Sequence, residues 1–276
     1  MVAQGDVFAG YRIDGVLGRG SLGVTYRASE PRSAREVALK VISLEVSEDP
    51  WFSRQFRREM GFALSLRHPH VLPVEEAGEH DEHLFVAMPI IDGISLERLT
   101  ESDTALSPER ATRIVGHVAE ALGAIHQHGR VHGSVKPANV LVTQSEGAEY
   151  AVLKDIGLPP HAGSRGLTEA QTAGSSDYVA PELIRGDPSD FRADIYALGC
   201  VLYEALTGHT PFRVKGPAAK MYAHLSTPVP SLAEWDVAAA PVLDPVIAGA
   251  MAKEPADRYS SAVALAQDAR AAAARA

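Results

Sequence analysis

The pattern of apolar residues changes sharply near Gly93, and this change restricts the fold more than any other feature of the chain. Before Gly93, short runs rich in Val, Ile and Tyr are separated by Gly and Pro, which is typical of β-strands. These runs are Tyr11 to Leu17, Gly23 to Ser29, Glu36 to Ile42, Val71 to Glu76 and His83 to Met88. The segment Pro50 to Arg67 carries apolar residues at helical spacing, which predicts the one helix of this part.

The rest of the chain is predicted to be mainly helical. Ser107 followed by Pro108 is typical of a helix start, and the helix it opens is predicted to run toward His128. From Asp194 onward, helical segments alternate with loops that contain Gly and Pro. We therefore predict an α+β fold with two lobes: a small antiparallel-sheet N-lobe with one helix, and a larger helical C-lobe. Residues 1–276 would form one domain, with the N-lobe over 1–91, a hinge near 89–92 and the C-lobe over 93–276.

Composition excludes several classes of partner and location. The net charge of −9 argues against nucleic acid or an anionic membrane surface as the main partner. The lone Cys200 cannot form an intramolecular disulfide and lies in an apolar run, which predicts a buried thiol. Neither a signal peptide nor a membrane-spanning run is visible, so we expect a cytoplasmic chain, or the cytoplasmic portion of a longer membrane-anchored protein.

Two motifs in the first part indicate phosphate binding. The run Gly18-Arg-Gly-Ser-Leu-Gly23 lies between two predicted strands instead of opening a helix, which argues against a dinucleotide-binding turn. A glycine-rich hairpin can bring backbone N–H groups close to phosphates because no Cβ intervenes. Lys40 lies in an apolar strand, where a lysine is costly without a negative partner, and Glu59 on the following helix is a natural one.

With these motifs in place, the chain resembles a bacterial serine/threonine protein kinase domain of the eukaryotic-like type over nearly its whole length. His132 to Asn139 stands where the family has H-R-D-L-K-P-x-N, and Asp155 to Gly157 stands at D-F-G. Ala180 to Glu182 matches A-P-E, Asp194 matches the aspartate that opens the central helix of the large lobe, and Arg258 matches the arginine that pairs with Glu182.

The resemblance implies that the chain binds ATP with Mg²⁺ or Mn²⁺. Lys40 would hold the α/β-phosphates and pair with Glu59, and Lys136 would approach the γ-phosphate. Asp155 and Asn139 would bind the metal. Met88 would be the gatekeeper, and the adenine would meet the Pro89 carbonyl and the Ile91 N–H. The remaining residues that the resemblance assigns to the nucleotide are Leu17, Gly18, Gly20, Gly23, Ala38 and Leu141.

Several residues depart from the family pattern, and three of them bear on catalysis or its regulation. Ser134 holds the position of the catalytic aspartate, and a neutral serine is not a useful base near pH 7. Gly133 replaces the arginine that clamps a phosphorylated activation loop in regulated relatives, so the candidate acceptors Thr168, Thr172, Ser175 and Ser176 lose that anchor. Lys154 precedes Asp155, where it would either pair with Asp155 or a phosphate, or turn to solvent.

Three functions are compatible with this pattern. The leading hypothesis is a nucleotide-binding pseudokinase that acts as a signalling switch or scaffold. The alternatives are a weakly active serine/threonine protein kinase, and an interaction module that binds no nucleotide. Expected partners are ATP and other signalling proteins, among them an active kinase or a phosphothreonine-binding protein, and family relatives also suggest a homodimer through the N-lobe.

Overall fold

The computed structural model describes residues 2–30, 33, 35–101, 105–145, 147–159 and 176–276. Its described residues form two compact units. The first unit comprises residues up to 92 together with 155–159, and the second comprises residues 93–154 and 176–276. Within the described ranges, no helix is long and apolar enough to cross a lipid bilayer.

The first unit is built on a six-stranded antiparallel sheet. Its strands lie in the order β1-β2-β3-β4-β6-β5. They are β1 (Val7–Phe8), β2 (Tyr11–Gly20), β3 (Gly23–Ser29), β4 (Glu36–Ile42), β5 (Glu76–His80) and β6 (His83–Pro89). Side chains from one face of this sheet form a buried cluster that includes Tyr11, Ile13, Tyr26, Leu39 and Phe85.

Two helices connect β4 to β5 in the first unit. The short helix α1 (Leu44–Ser47) was not predicted, whereas α2 (Pro50–Ser65) was. Helix α2 begins at Asp49, whose carboxylate accepts hydrogen bonds from the Trp51 and Phe52 N–H groups and so satisfies the open first turn. The predicted strand Val71 to Glu76 is wrong for most of its length, because β5 begins only at Glu76. Pro73 lies inside the predicted run and has no N–H to donate to a sheet.

The second unit contains a small sheet and most of the helices. Its three antiparallel strands are β7 (Gly93–Ser95), β8 (Val140–Ser145) and β9 (Ala148–Leu153). Its helices are α3 (Leu96–Thr100), α4 (Pro108–His126), α5 (Pro181–Arg185), α6 (Arg192–Thr207), α7 (Pro217–Ser226), α8 (Ala240–Ala250) and α9 (Ala262–Ala273).

Helix α6 is the central helix of the second unit. Every residue from Ala193 to Thr207 is buried, so the helix is apolar around most of its circumference. It packs against α4 and α8. The predicted cap of α4 is confirmed, since Ser107 Oγ accepts a hydrogen bond from the Arg110 N–H. Cys200 is buried within α6, and burial raises the pKa of its thiol, which keeps it protonated.

Candidate functional site

A buried ion pair joins Lys40 to Asp155 in the first unit. Lys40 lies on β4 between its cross-strand neighbours Thr25 and Val86. Its Nζ donates to Asp155 Oδ2 over 2.7 Å, and the two side chains are 10% and 12% exposed. Burying both charges costs several kcal/mol, which their mutual attraction offsets only when the geometry is good. An ion pair of this kind, formed 115 positions apart in sequence, is a candidate for function.

The segment that carries Asp155 has an unusual backbone. Asp155 has a φ of +67°, in the left-handed region where non-glycine residues are uncommon. Gly157 has a φ of +73°, and a Cβ there would lie 2.9 Å from the side chains of Met60 and Ala63 on α2. Gly157 therefore lets the segment lie against α2, and this close approach holds the strained Asp155 beside Lys40.

Glu59 pairs with its neighbour on α2 in this structure. Its Oε1 accepts a hydrogen bond from Arg58 Nε over 3.0 Å, and the Arg58 side chain is mostly exposed. An exposed ion pair between adjacent residues contributes little to stability. The pairing of Glu59 with Lys40 stays a prediction.

The glycine-rich run forms the hairpin between β2 and β3. Gly20 and Gly23 face each other across the hairpin, and β2 is irregular near Gly15 and Gly18. At Gly23 the φ is +147° and a Cβ would lie 2.1 Å from the Val41 carbonyl oxygen, so only glycine fits. The sequence therefore requires glycine here for the close approach of β3 to β4, whatever the hairpin binds.

The residues assigned to the adenine are distributed over both units. In the first unit, Ala38 on β4 lies directly opposite Met88 on β6, and Met88 is buried. Leu17 on β2 is 44% exposed, which is high for so large an apolar side chain. Pro89 ends β6 and, like Ile91, is half-buried. Leu141 is half-buried on β8 of the second unit.

The segment from His132 to Asn139 is held in the second unit by Asp194. This carboxylate is almost fully buried and accepts hydrogen bonds from the backbone N–H groups of His132 and Gly133, both over 2.8 Å. His126 Nε2 is also 2.8 Å from Asp194 Oδ2. Gly133 has a φ of +72°, a conformation that costs glycine little. Asp194 thus fixes the backbone immediately before Ser134.

Asn139 fixes Ser134 from the other side. Asn139 is buried, and its Nδ2 donates to the Ser134 backbone oxygen over 2.8 Å and to Ser134 Oγ over 3.1 Å. Val135 is buried, whereas Ser134 and Lys136 on either side of it are half-exposed. The structure therefore joins Asn139 to Ser134 through its side chain and to the Lys136 backbone oxygen through its N–H, over 2.9 Å, although the sequence had singled these residues out separately.

The residues assigned to the metal offer oxygen ligands. Both hydrogen bonds of Asn139 described above use Nδ2, so Oδ1 is the amide atom that takes no part in them. Carboxylate and amide oxygens suit Mg²⁺, which is commonly held by one or two side chains together with substrate phosphates. Among the described residues, no cluster of three or more His, Cys, Asp or Glu forms a separate metal site. Asp155 in the first unit and Asn139 in the second thus each carry an oxygen of the kind that magnesium binds.

Lys154 is anchored through its backbone in the second unit. Its N–H donates to the backbone oxygen of Asn139 over 3.0 Å, and its carbonyl oxygen is 3.0 Å from His132 Nε2. Of the predicted phosphoacceptors, Ser176 is buried. Thr168, Thr172 and Ser175 lie outside the described residues.

Two further interactions hold the segment from Tyr178 to Glu182 in the second unit. The predicted pairing of Glu182 with Arg258 is confirmed, with two hydrogen bonds of 2.7 Å. Sequence reasoning missed the second interaction, in which the Tyr178 hydroxyl donates to Glu204 Oε2 over 2.6 Å. Burial raises the pKa of both Tyr178 and Glu204. Glu204 inside the apolar helix α6 was the available signal, since a buried carboxylate requires a partner.

Comparisons with known proteins agree with this arrangement of motifs. The sequence profile described as Protein kinase domain matches residues 11–269. The serine/threonine-protein kinase PknD of Mycobacterium tuberculosis is 43% identical over 260 residues, which cover 94% of this chain and 39% of that protein. PknJ of the same organism is 38% identical over 265 residues, which cover 95% of this chain and 45% of that protein.

Solved structures are similar over the whole chain. The crystal structure of the M. tuberculosis PknI kinase domain shares 32% sequence identity, covers 99% of this chain and 100% of that one, and gives a TM-score of 0.79. The predicted fold class, an antiparallel N-terminal sheet followed by a helical C-lobe, is confirmed. The chain spans less than half the length of PknD and PknJ.

Proposed function

The chain belongs to the protein kinase domain family, and on that premise we propose that it binds ATP with Mg²⁺ and slowly transfers the γ-phosphoryl group to serine or threonine hydroxyls of proteins. The observation that carries this proposal is the buried ion pair of Lys40 with Asp155. Two apolar residues would fill the same space without the cost of desolvating two charges. A buried cation and a buried carboxylate are the groups needed to hold phosphates and the metal that accompanies them.

The expected slow rate follows from Ser134. A positioned base contributes about 10²–10⁴-fold to the rate of a proton-transfer step, and a serine hydroxyl cannot accept a proton near neutral pH. Phosphoryl transfer nevertheless passes through a loose transition state, in which positioning and charge stabilisation contribute most. Lys136 lies on the same strand-like segment as Ser134 and would supply positive charge to the transferring group. The bound Mg²⁺ would supply further charge stabilisation at the phosphates.

A second candidate function is a nucleotide-binding switch that transfers no phosphate, the pseudokinase predicted above. It is favoured by the hydrogen bond from Asn139 to Ser134 Oγ, which engages the oxygen at the base position. In that case the partners would be other signalling proteins, such as an active kinase or a phosphothreonine-binding protein, and the cytoplasmic location and N-lobe homodimer remain part of the proposal. An interaction module without nucleotide is the third possibility.

The experiment measures phosphate on a generic protein substrate by mass spectrometry after incubation with ATP and Mg²⁺. We expect a slow signal from the unaltered chain and none from Lys40→Met. Because Ser134→Asp restores a carboxylate at the base position, we expect it to raise the rate by about 10²–10⁴-fold. Ser226→Asp is the matched control, since it adds the same charge at an exposed serine on α7 and should leave the rate unchanged.

Each other outcome selects a different function. Thermal stabilisation by ATP without any transfer supports the switch; a ligand at about a hundred times its Kd adds roughly 2.7 kcal/mol to the free energy of unfolding. Absence of stabilisation by any nucleotide supports the interaction module. If transfer by Ser134→Asp does not exceed that of the unaltered chain, the assignment of the slow step to position 134 is wrong.

A further inference from the structure

Ser134 and Lys136 share the accessible face of an extended segment. Lys136 has φ −163° and ψ 159°, so the backbone there is extended. In an extended chain, alternate side chains point to the same side. The burial pattern agrees, since Val135 is only 3% exposed while the residues on either side of it are half-exposed. The Ser134 and Lys136 side chains therefore lie on the same side of the segment, the side that faces away from the core.

Asn139 orients the serine hydroxyl. Because Nδ2 donates to Ser134 Oγ, the oxygen uses one lone pair on Asn139 and its own proton points elsewhere. A second hydrogen bond from the same Nδ2 holds the Ser134 backbone, and Asp194 holds the preceding peptide groups. The hydroxyl oxygen is thus fixed in position and keeps a lone pair that the bond to Asn139 does not use, and Lys136 lies two positions away on the same side of the segment.

We propose that Ser134 is itself a phosphoryl acceptor, so that the chain modifies its own base position. This inference rests on the proposed function, because ATP is the donor. Ser134 Oγ forms a bond to the γ-phosphorus while the bond from that phosphorus to the bridging oxygen of ADP breaks. ADP leaves with the electron pair of the broken bond, and the hydroxyl proton passes to solvent. Because the transition state is loose, this step can proceed without a base, and like transfer to a protein substrate it is slow.

The product is stabilised by groups already present. A phosphoserine carries a charge of about −1.5 to −2 at neutral pH and strong acceptor oxygens. The Lys136 ammonium group and the Asn139 N–H are donors on the same segment, and hydrogen bonds between charged partners are the stronger kind. Phosphorylated Ser134 would thus carry a negative charge, near the positive charge of Lys136, at the position where the protein kinase family has a carboxylate.

The test is peptide mapping by mass spectrometry after incubation of the chain alone with ATP and Mg²⁺. We expect one phosphoryl group per chain, located on Ser134. Lys40→Met should abolish the modification. Ser134→Ala should also abolish it, whereas the matched control Ser226→Ala, which removes an exposed serine, should keep it in full. Lys136→Met should slow the modification about tenfold, because it removes the positive charge two positions from the acceptor.

The outcomes separate this inference from the proposed function. Phosphate on a protein substrate, or elsewhere on the chain, with Ser134 unmodified overturns the inference and leaves the kinase proposal standing. Absence of phosphate on both chain and substrate overturns both. A phosphorylated Ser134 in the Lys40→Met chain also contradicts the inference, because the modification would then not depend on the nucleotide site.

Discussion

Removal of the Arg258 guanidinium should destabilise the second unit strongly. Arg258 and Glu182 have side-chain exposures of 0% and 3%, and two parallel hydrogen bonds of 2.7 Å join them. The guanidinium also donates to the backbone oxygens of Ala252 and Arg192. Arg258→Met keeps the apolar stem but leaves the Glu182 carboxylate buried without this partner. Breaking a buried pair in this way costs about 3–5 kcal/mol.

Fluorescence of a single tryptophan can report this loss from the second unit alone. The chain has two tryptophans, Trp51 in the first unit and Trp235 in the second. In a Trp51→Phe background, Trp235 reports unfolding of the second unit, where its Nε1 donates to the Tyr203 hydroxyl. At about 2–4 °C of Tm per kcal/mol for a chain of this size, Arg258→Met should lower Tm by about 6–20 °C.

The matched control is an exposed arginine of the same region. Arg185 follows Glu182 on α5 and pairs with Asp187 and Glu254, with its own side chain 34% exposed. Arg185→Met should cost at most about 1 kcal/mol. Adding Glu182→Gln to Arg258→Met should recover part of the loss, because the uncompensated charge is then gone. Equal small effects of Arg258→Met and Arg185→Met, or no recovery in the double variant, would refute the reasoning.

Two further predictions concern pH and backbone conformation in the second unit. Burial, and secondarily Lys253, lowers the pKa of His224 to about 4, so the unfolded chain binds a proton more readily between about pH 6.5 and pH 4. The free energy of unfolding, measured with urea, should fall by about 3 kcal/mol as pH drops through that window. An equal fall in the His224→Gln variant would contradict the assignment to His224. Gly133→Ala should destabilise by about 1–2 kcal/mol because of its positive φ, whereas Gly116→Ala, inside α4 with open space at its Cβ position, should stabilise by about 0.5–1 kcal/mol. If Gly133→Ala and Gly116→Ala shift the Tm of thermal unfolding in the same direction, backbone conformation is not the cause.

Local features of the structure could be predicted from the sequence because they depend on neighbouring residues. The Ser107 cap and the burial of Cys200 follow from spacing and side-chain chemistry over a few positions. The pairing of Glu182 with Arg258 was available only through the family resemblance, since 76 positions separate the two residues. The strand predicted from Val71 failed because the apolar count outweighed Pro73, which cannot donate to a sheet.

The candidate site shows the same division. The sequence by itself identified the residues: Lys40 in an apolar strand, Asp155 in its motif, and a serine at position 134 where a carboxylate was expected. Only the folded structure decided their partners, pairing Lys40 with Asp155 and Ser134 with Asn139. Residue type determines which hydrogen bonds and charges a side chain can offer. Which of several eligible partners it meets depends on how β4, α2 and the Asp155 segment pack within the first unit, and on how Asp194 and Asn139 hold the Ser134 segment within the second. No local pattern specifies that packing.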